Sequence, residues 1–440
     1  MAIYLINGRK PLSGVYEVSG AKNAGPKLLI TSLVTSETCK FSNIPDTSDS
    51  EKVIEAIKSF GGIVQTLNSH TYSVTCSNIT SSVVPKEAMR ARQSVLFIGA
   101  LLARTGKVMM PTLGGDEIGK RPIDRLLNAL RAFGANVNQG NNLTIEFPER
   151  PHTGVYKFEK NSHTATESLL IALLHTNGVA RVENVALEPE VDNLIEVLNA
   201  MGARISRLAD RVIEIEGVEV LHGVEASSIY DRLEAATAVT LSAMTEGAIK
   251  IKNAEKTHLT SYLAKLAEAG VRVRWVKDLA VVSVAKKLKP IDIVTEVHPG
   301  FMTDWHPIIA LLMATKFPGK SSVHEKIFEN RWNYLRELGK MGVKYELFRP
   351  EGEQPEDYNF NESEFKNDEP HAAYIFGPTE LSPTELFSHD VRAGIDVLLA
   401  ALVANGQSVV KDPKDHIVRG YENIVGKLQG LGADIREVDL

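Results

Sequence analysis

The chain has 440 residues, 43% of them hydrophobic, a formal net charge of -6 and two cysteines, Cys39 and Cys76. Such a length and apolar content support two or more domains with cores of their own. The acidic balance and the lack of any Lys/Arg block argue against a nucleic-acid partner, while local basic pockets for small anions stay open. Two thiols without CxxC spacing exclude a disulfide scaffold, so a reducing cytoplasm is the expected compartment. The opening Met-Ala-Ile-Tyr-Leu-Ile-Asn-Gly lacks a signal-peptide layout, and the longest apolar runs, Val95 to Ala103 and Val397 to Ala404, are too short to span a bilayer. A soluble cytoplasmic protein is expected.

In chain order, one unit recurs six times. An apolar helix comes first, predicted at 26–34, 94–103, 168–175, 235–243, 307–314 and 394–404. A β-branched strand follows, as in Val179-Ala-Arg-Val-Glu-Asn-Val, and then a second, amphipathic helix that ends in a glycine stop. The stops are Gly61, Gly134, Gly202, Gly270, Gly342 and Gly432, spaced 73, 68, 68, 72 and 90 residues apart. A further strand precedes the next copy. Strands alternating with helices give an α/β class, and a period this long makes each copy a sub-domain rather than a stackable repeat. Six copies suggest two domains of three, helices inside and sheets outside. The competing reading is an ordinary doubly wound sheet with coincidental glycine stops.

The last interval is long because of an insertion at 349–375. Eight Asp/Glu, two Lys/Arg and three prolines predict a solvated loop or hairpin outside the core, with no function attached.

Between the second pair of helices lies Gly114-Gly115-Asp116-Glu117-Ile118-Gly119-Lys120-Arg121-Pro122-Ile123-Asp124. Glycines around adjacent carboxylates read as a mobile loop, and Pro122 suits the first turn of a following helix. Arg121 is a rigid fork for phosphate or carboxylate. From spacing alone, a surface turn with an acidic cap fits as well. The twelve histidines show no HExxH, and there is no Walker loop and no GxGxxG after a predicted strand. Neither a metal nor an organic cofactor is expected.

Several blocks together carry a resemblance. Ser19-Gly20-Ala21-Lys22-Asn23-Ala24, Gly114-Gly115-x-x-Ile118-Gly119-x-Arg121-Pro122-x-Asp124, Thr303-Asp304, Phe328-Glu329-Asn330-Arg331, Asp390-Val391-Arg392-Ala393-Gly394 and Arg419-Gly420-Tyr421-Glu422 resemble, in order, those of the UDP-N-acetylglucosamine 1-carboxyvinyltransferase family. These are the enolpyruvyl transferases of peptidoglycan synthesis. The likeness runs from about residue 5 to 438, the insertion excepted. It implies two inside-out α/β domains, each of three βαβαββ-like units. One is expected to hold 1–21 and 230–440, the other 22–229 with the 114–124 loop.

The resemblance also implies a reaction and its residues. An enolpyruvyl group passes from phosphoenolpyruvate to the 3-hydroxyl of UDP-N-acetylglucosamine, releasing phosphate by addition and elimination. Such chemistry needs cationic clamps, one acid and one base. Lys22, Arg92, Arg121 and Arg392 are implied to hold the phosphoenolpyruvate anion, with Arg331 in the same polar environment. Asp304 is the implied base beside the acceptor hydroxyl; Thr303-Asp304 also precedes a helix, where an N-cap is the ordinary role. Asn23 is implied to bond the sugar, and the Arg121-Pro122-Ile123-Asp124 segment to grip uracil through Asp124. Lys160, Ser162 and Thr164 fall where the diphosphate is held, and Phe328 falls beside the nucleotide sugar. Asp231-Arg232 is similar to a hinge block. A monomer whose two domains close over the nucleotide sugar is expected.

Two departures stand out. Most members carry Cys where Asp116 stands, as the residue that delivers a proton. An aspartate with an ordinary pKa of about 4 is ionised at neutral pH, so Asp116 needs that value raised, for which Glu117 and a dry, closed loop are plausible causes. Ser162-His163-Thr164 replaces the usual Ser-Val-Gly, adding bulk where a phosphate approaches the backbone. Two other readings therefore stay open: an enolpyruvyl transferase acting on another uridine nucleotide such as UMP, and a non-catalytic nucleotide-sugar-binding paralogue. The shikimate-pathway relatives share the fold but lack the Gly-Gly-x-x-Ile-Gly-x-Arg-Pro loop.

Overall fold

The computed structural model describes residues 1–111, 123–245, 248–366 and 368–438. Asp116, Glu117, Arg121 and Pro122 lie outside the described residues. Two compact units result. The first holds the described residues from Gly20 to Ile229, the second Met1–Ser19 and the described residues from Tyr230 onward.

The first unit contains helices α1 (Gly25–Thr31), α2 (Ser48–Ser59), α3 (Leu96–Thr105), α4 (Asp124–Ala132), α5 (His163–Ala172) and α6 (Pro189–Ala200). The second contains α7 (Arg232–Met244), α8 (Thr260–Ala269), α9 (His306–Lys316), α10 (Asn333–Lys340), α11 (Val391–Val403), α12 (His416–Gly420) and α13 (Ile424–Gly430). Helices α1, α3, α5, α7, α9 and α11 bury most or all of their residues and are therefore internal. Every residue of α7 is buried, and Val403 is the only residue of α11 that is not. On α10, by contrast, burial is confined to Tyr334, Leu335, Glu337 and Leu338, one stripe facing the core. Each unit has one continuous apolar core.

Six small sheets wrap these helices, five of four strands and one of three among the described residues. In the third copy His152–Lys157 runs parallel to Asn177–Glu183, with α5 as the crossover; parallel neighbours require such a crossover. After α6 the antiparallel hairpin Arg204–Ala209 and Val212–Glu216 completes the sheet. In the second copy the leading strand shrinks to a single bridge between Val83 and Met109.

Both units close on themselves with strands from far along the chain. Glu225–Ser227 pairs parallel to Thr38–Ser42. Ala2–Asn7 lies between Gln407–Asp412 and Asp434–Val438, antiparallel to both, and Gly14–Glu17 leads the sheet of α7, parallel to Ile249–Lys252. The N-terminal strands belong to the second unit for that reason. The six glycine stops all adopt left-handed φ, between 94° and 102°. A Cβ would be strained there, so glycine ends the helix and turns the chain into its strand.

Two expectations are corrected. Three inner helices start well before their apolar runs, because Ser162, Asp231 and Asp390 cap them through side-chain oxygens. Polar residues thereby occupy the first turns, buried at Arg232, Glu234 and Arg392 and half-buried at His163 and Thr164. The second correction is partial: most of the described residues in 349–370 are exposed or half-buried, as in a solvated loop, but Tyr358 and Phe360 are 1% and 6% exposed. They pack with Phe365 and His371, ring centroids 4.7–6.3 Å apart. Its last residues join the core strand Ala372–Gly377. Acidic composition concealed a spaced aromatic set able to bury itself. Among the described residues no helix is long and apolar enough to cross a membrane.

Candidate active site

In the second unit the starts of α9 and α11 bring charged groups together. Asp304 lies in a short 3-10 turn, Thr303–Trp305, that runs into α9. It is not a side-chain cap. Its Oδ1 accepts from Arg331 Nη1 at 2.8 Å and its Oδ2 from Arg392 Nε at 3.2 Å. Asp390 caps α11, accepting from Arg392 N and Ala393 N at 2.8 and 3.1 Å, which fixes the backbone that carries Arg392. Burial alone would raise the Asp304 carboxyl, but the Arg331 and Arg392 guanidiniums outweigh it and hold it well below the usual carboxylate range.

The guanidiniums keep donor capacity. Arg331 Nε and Arg392 Nη1 are buried and have no hydrogen-bond partner among the described residues. Buried donors of this kind normally meet an acceptor. The Arg392 guanidinium carbon also lies 5.5 Å from the centre of the Tyr421 ring, and the Tyr421 hydroxyl is 3.0 Å from Thr237 Oγ1 on α7. Inner helices α7, α9 and α11 thus share one polar end.

Glu325, which no motif marks, organises the turn beneath. Its Oε1 accepts from Ile327 N and Phe328 N at 2.8 and 3.0 Å, its Oε2 from Thr303 Oγ1 at 2.8 Å. Thr303 Oγ1 accepts in turn from Arg331 Nη1 at 2.9 Å. Burial opposes the Glu325 charge, yet the bond to His306 and the nearby Arg331 keep the carboxyl below its ordinary value. The signal for Glu325 was weak, a lone acid after a strand.

The first unit repeats the arrangement. Lys22, 9% exposed, precedes α1 and pairs with Asp49 of α2 at 3.0 Å. Gln93 Nε2, beside Arg92 ahead of α3, donates to the Lys22 carbonyl at 3.2 Å. Helices α3 and α5 pack closely at Gly99, where a Cβ would lie 2.1 Å from the Ser168 carbonyl oxygen. Ser162 caps α5, and Thr164 sits in its first turn. Arg125, next to exposed Asp124 at the start of α4, donates to the Asn161 carbonyl at 2.8 Å. Asp124 and the Lys160–Thr164 stretch are therefore neighbours.

A buried cluster underpins that corner. Lys27 Nζ lies 2.6 and 2.8 Å from the Glu167 oxygens, and His163 Nε2 lies 3.1 Å from both partners. Burial penalises the Glu167 charge, but the His163 imidazole and Lys27 ammonium keep its carboxyl below the ordinary value. Burial pulls His163 down, and Glu167 more than reverses that, so its pKa is raised. His163 points inward to this cluster, which the sequence did not foretell.

The structure thus joins Asp304, Arg331 and Arg392 in one unit. In the other it gathers Lys22 with Asp49, and Asp124 with the α5 start. Asp116, Arg121 and Pro122 fall outside the described residues, while Asn23 and Ile123 are half-buried.

The family model of EPSP synthase (3-phosphoshikimate 1-carboxyvinyltransferase) matches residues 6–428. The chain is 36% identical over 439 residues to the UDP-N-acetylglucosamine 1-carboxyvinyltransferase of Koribacter versatilis, covering 99% of this chain and 96% of that protein. It is also 36% identical over 442 residues to UDP-N-acetylglucosamine 1-carboxyvinyltransferase 2 of Carboxydothermus hydrogenoformans, with full coverage of both. Its fold matches the enolpyruvyl transferase NikO from Streptomyces tendae with a TM-score of 0.85 at 22% identity, over 99% of each chain. An EPSP synthase from Acinetobacter baumannii matches with a TM-score of 0.73 at 15% identity, over the whole of each. At those identities the two structures speak for the fold alone. The chain belongs to the enolpyruvyl (carboxyvinyl) transferase family.

Proposed function

We propose that this enolpyruvyl transferase moves the enolpyruvyl group of phosphoenolpyruvate onto the 3-hydroxyl of UDP-N-acetylglucosamine and releases phosphate. That reaction commits the nucleotide sugar to peptidoglycan. The observation that carries the reading is the Asp304 carboxylate held between Arg331 and Arg392, in a chain whose full-length relatives bear that activity in their names.

The acceptor oxygen attacks C2 of phosphoenolpyruvate and passes its proton to Asp304, while a proton adds to C3. Elimination then returns a proton from C3, breaks the C2–O bond to phosphate and restores the double bond. Asp116 is the donor to C3 in this reading. Lys22, Arg92, Arg121 and Arg392 hold the phosphate and carboxylate, where their charge offsets what develops during addition. In the resting site two guanidiniums make Asp304 a weak base. An anion that engages Arg392 withdraws part of that stabilisation, so the carboxylate gains proton affinity when the donor substrate is bound. Asn23, Phe328, Asp124, Lys160, Ser162 and Thr164 hold the nucleotide sugar.

A second reading, a different uridine nucleotide as acceptor, draws on one observation: His163-Thr164 opens α5 where the family has Val-Gly. The test is phosphate release from phosphoenolpyruvate with UDP-N-acetylglucosamine, UMP or shikimate 3-phosphate. Release with the nucleotide sugar alone is expected. Release with UMP alone would favour the second reading. Silence with all three, alongside nucleotide-sugar binding, would favour a non-catalytic paralogue.

A further inference from the structure

We infer that the insertion after Phe348 is a positioning element for the acceptor substrate: it grips residues 324–326 and so sets the turn that carries Phe328 and Arg331. The inference rests on the reading above for the identity of the acceptor, but its structural half is independent of it.

The topology puts the insertion where it can act. Strand Gly319–His324 pairs antiparallel with Ala372–Gly377, His324 opposite Ala372. Lys344–Phe348 also pairs antiparallel with Ala372–Gly377, Phe348 likewise opposite Ala372. The hairpin therefore opens at the end of the sheet where His324 leaves for the active-site turn. An insertion at that hairpin tip lands beside the turn.

Contacts follow residue by residue. His324 Nε2 is 3.2 Å from the Tyr358 hydroxyl. Glu325 N donates to the His371 carbonyl at 2.9 Å, and Asn359 N donates to the Lys326 carbonyl at 2.7 Å. Lys326 Nζ donates to Glu353 at 3.1 Å. Three consecutive residues are held: His324 and Lys326 by their side chains, Glu325 and Lys326 by their backbone. The middle one, Glu325, accepts from Phe328 N and from Thr303, which joins Arg331. A continuous path thus runs from the insertion to Asp304.

The insertion is braced by contacts of its own. Gln354 and Asp357 form a reciprocal capping box at its first turn. Phe365 and His371 stack at 5.2 Å, and the Arg349 guanidinium lies 5.2 Å from the Phe365 ring. Such side chains bury apolar area instead of fraying, so the grip costs little further ordering on binding.

The experiment replaces residues 352–369 with Gly-Asn in the full-length enzyme. A second variant, Glu353→Gln with Tyr358→Phe, keeps the loop length. For the deletion, KM for UDP-N-acetylglucosamine should rise about tenfold, with kcat and KM for phosphoenolpyruvate within about threefold. The double variant should shift the same way by about threefold. Amide exchange in peptides covering 324–331 should quicken in both. Unchanged KM for the nucleotide sugar with unchanged exchange would overturn the inference. So would an equal loss for both substrates in the double variant, which decides the matter if the deletion fails to fold. A wild-type enzyme inactive with UDP-N-acetylglucosamine would overturn the proposed acceptor, and exchange at 324–331 would still judge the grip.

Discussion

Asp304 and Arg392, 88 residues apart in the chain, meet with carboxylate Oδ2 and guanidinium Nε 3.2 Å apart. In the proposed mechanism one helix start supplies the base, and another the cation that keeps it weak. Asp304→Asn should cut kcat by about 100-fold or more, as loss of a general base does, without raising KM for phosphoenolpyruvate. Arg392→Lys offers one point charge for a planar fork and should raise that KM by about tenfold or more. Steady-state kinetics with both substrates varied separates the two. A raised KM in the Asp304 variant would place that residue in donor binding instead.

The buried Lys27, Glu167 and His163 cluster makes a stability prediction. Glu167→Gln leaves the Lys27 ammonium buried without its counter-charge, which costs about 3–5 kcal/mol. Replacing Lys27 and Glu167 together, Lys27→Met with Glu167→Leu, should recover most of the loss, because no buried charge is stranded. Urea unfolding reads both. Equal destabilisation by the single and double variants would mean that packing, not charge, dominates the site.

Asp396 of α11 is fully buried, and neither carboxylate oxygen has a hydrogen-bond partner among the described residues. Burial, helped by nearby Asp390, raises its pKa well above the ordinary value. The folded chain therefore keeps a proton that the unfolded carboxyl releases above about pH 4. Stability falls as pH rises through that window, by at most about 1.4 kcal/mol per pH unit. Asp396→Asn should abolish this slope, so its Tm advantage over wild type should be larger at pH 8 than at pH 5. Parallel melting curves at the two pH values would contradict it.

No thiol occupies the 114–124 loop, and the two cysteines lie in the core. Burial pushes the Cys39 thiol up to about 11 and raises Cys76 as well, so neither offers a reactive thiolate. Fosfomycin should leave intact mass and activity unchanged. Asp116→Cys should gain a single adduct. An adduct on the wild-type loop would sink the idea that Asp116 stands in for the thiol.

The six-fold recurrence was legible because glycine stops and helix periods are local signals. Each stop needs a left-handed residue whatever surrounds it, and all six adopt that conformation. Asp304, Arg331 and Arg392 were marked by short motif blocks, though no spacing foretold that two guanidiniums would share one carboxylate. The insertion was legible in part: its charge count gave an exposed loop, but not the burial of Tyr358 and Phe360, which depends on packing.

What the sequence determined by itself was the repeated α/β unit, the apolar helices that must lie inside and the order of the motif blocks. Tertiary structure alone decided that Glu325 links the insertion to Thr303 and Arg331, and that Lys27 reaches Glu167, 140 residues away. Period and capping are set by neighbours along the chain. Which buried charges find each other depends on helix starts that converge only when the repeats fold around one core.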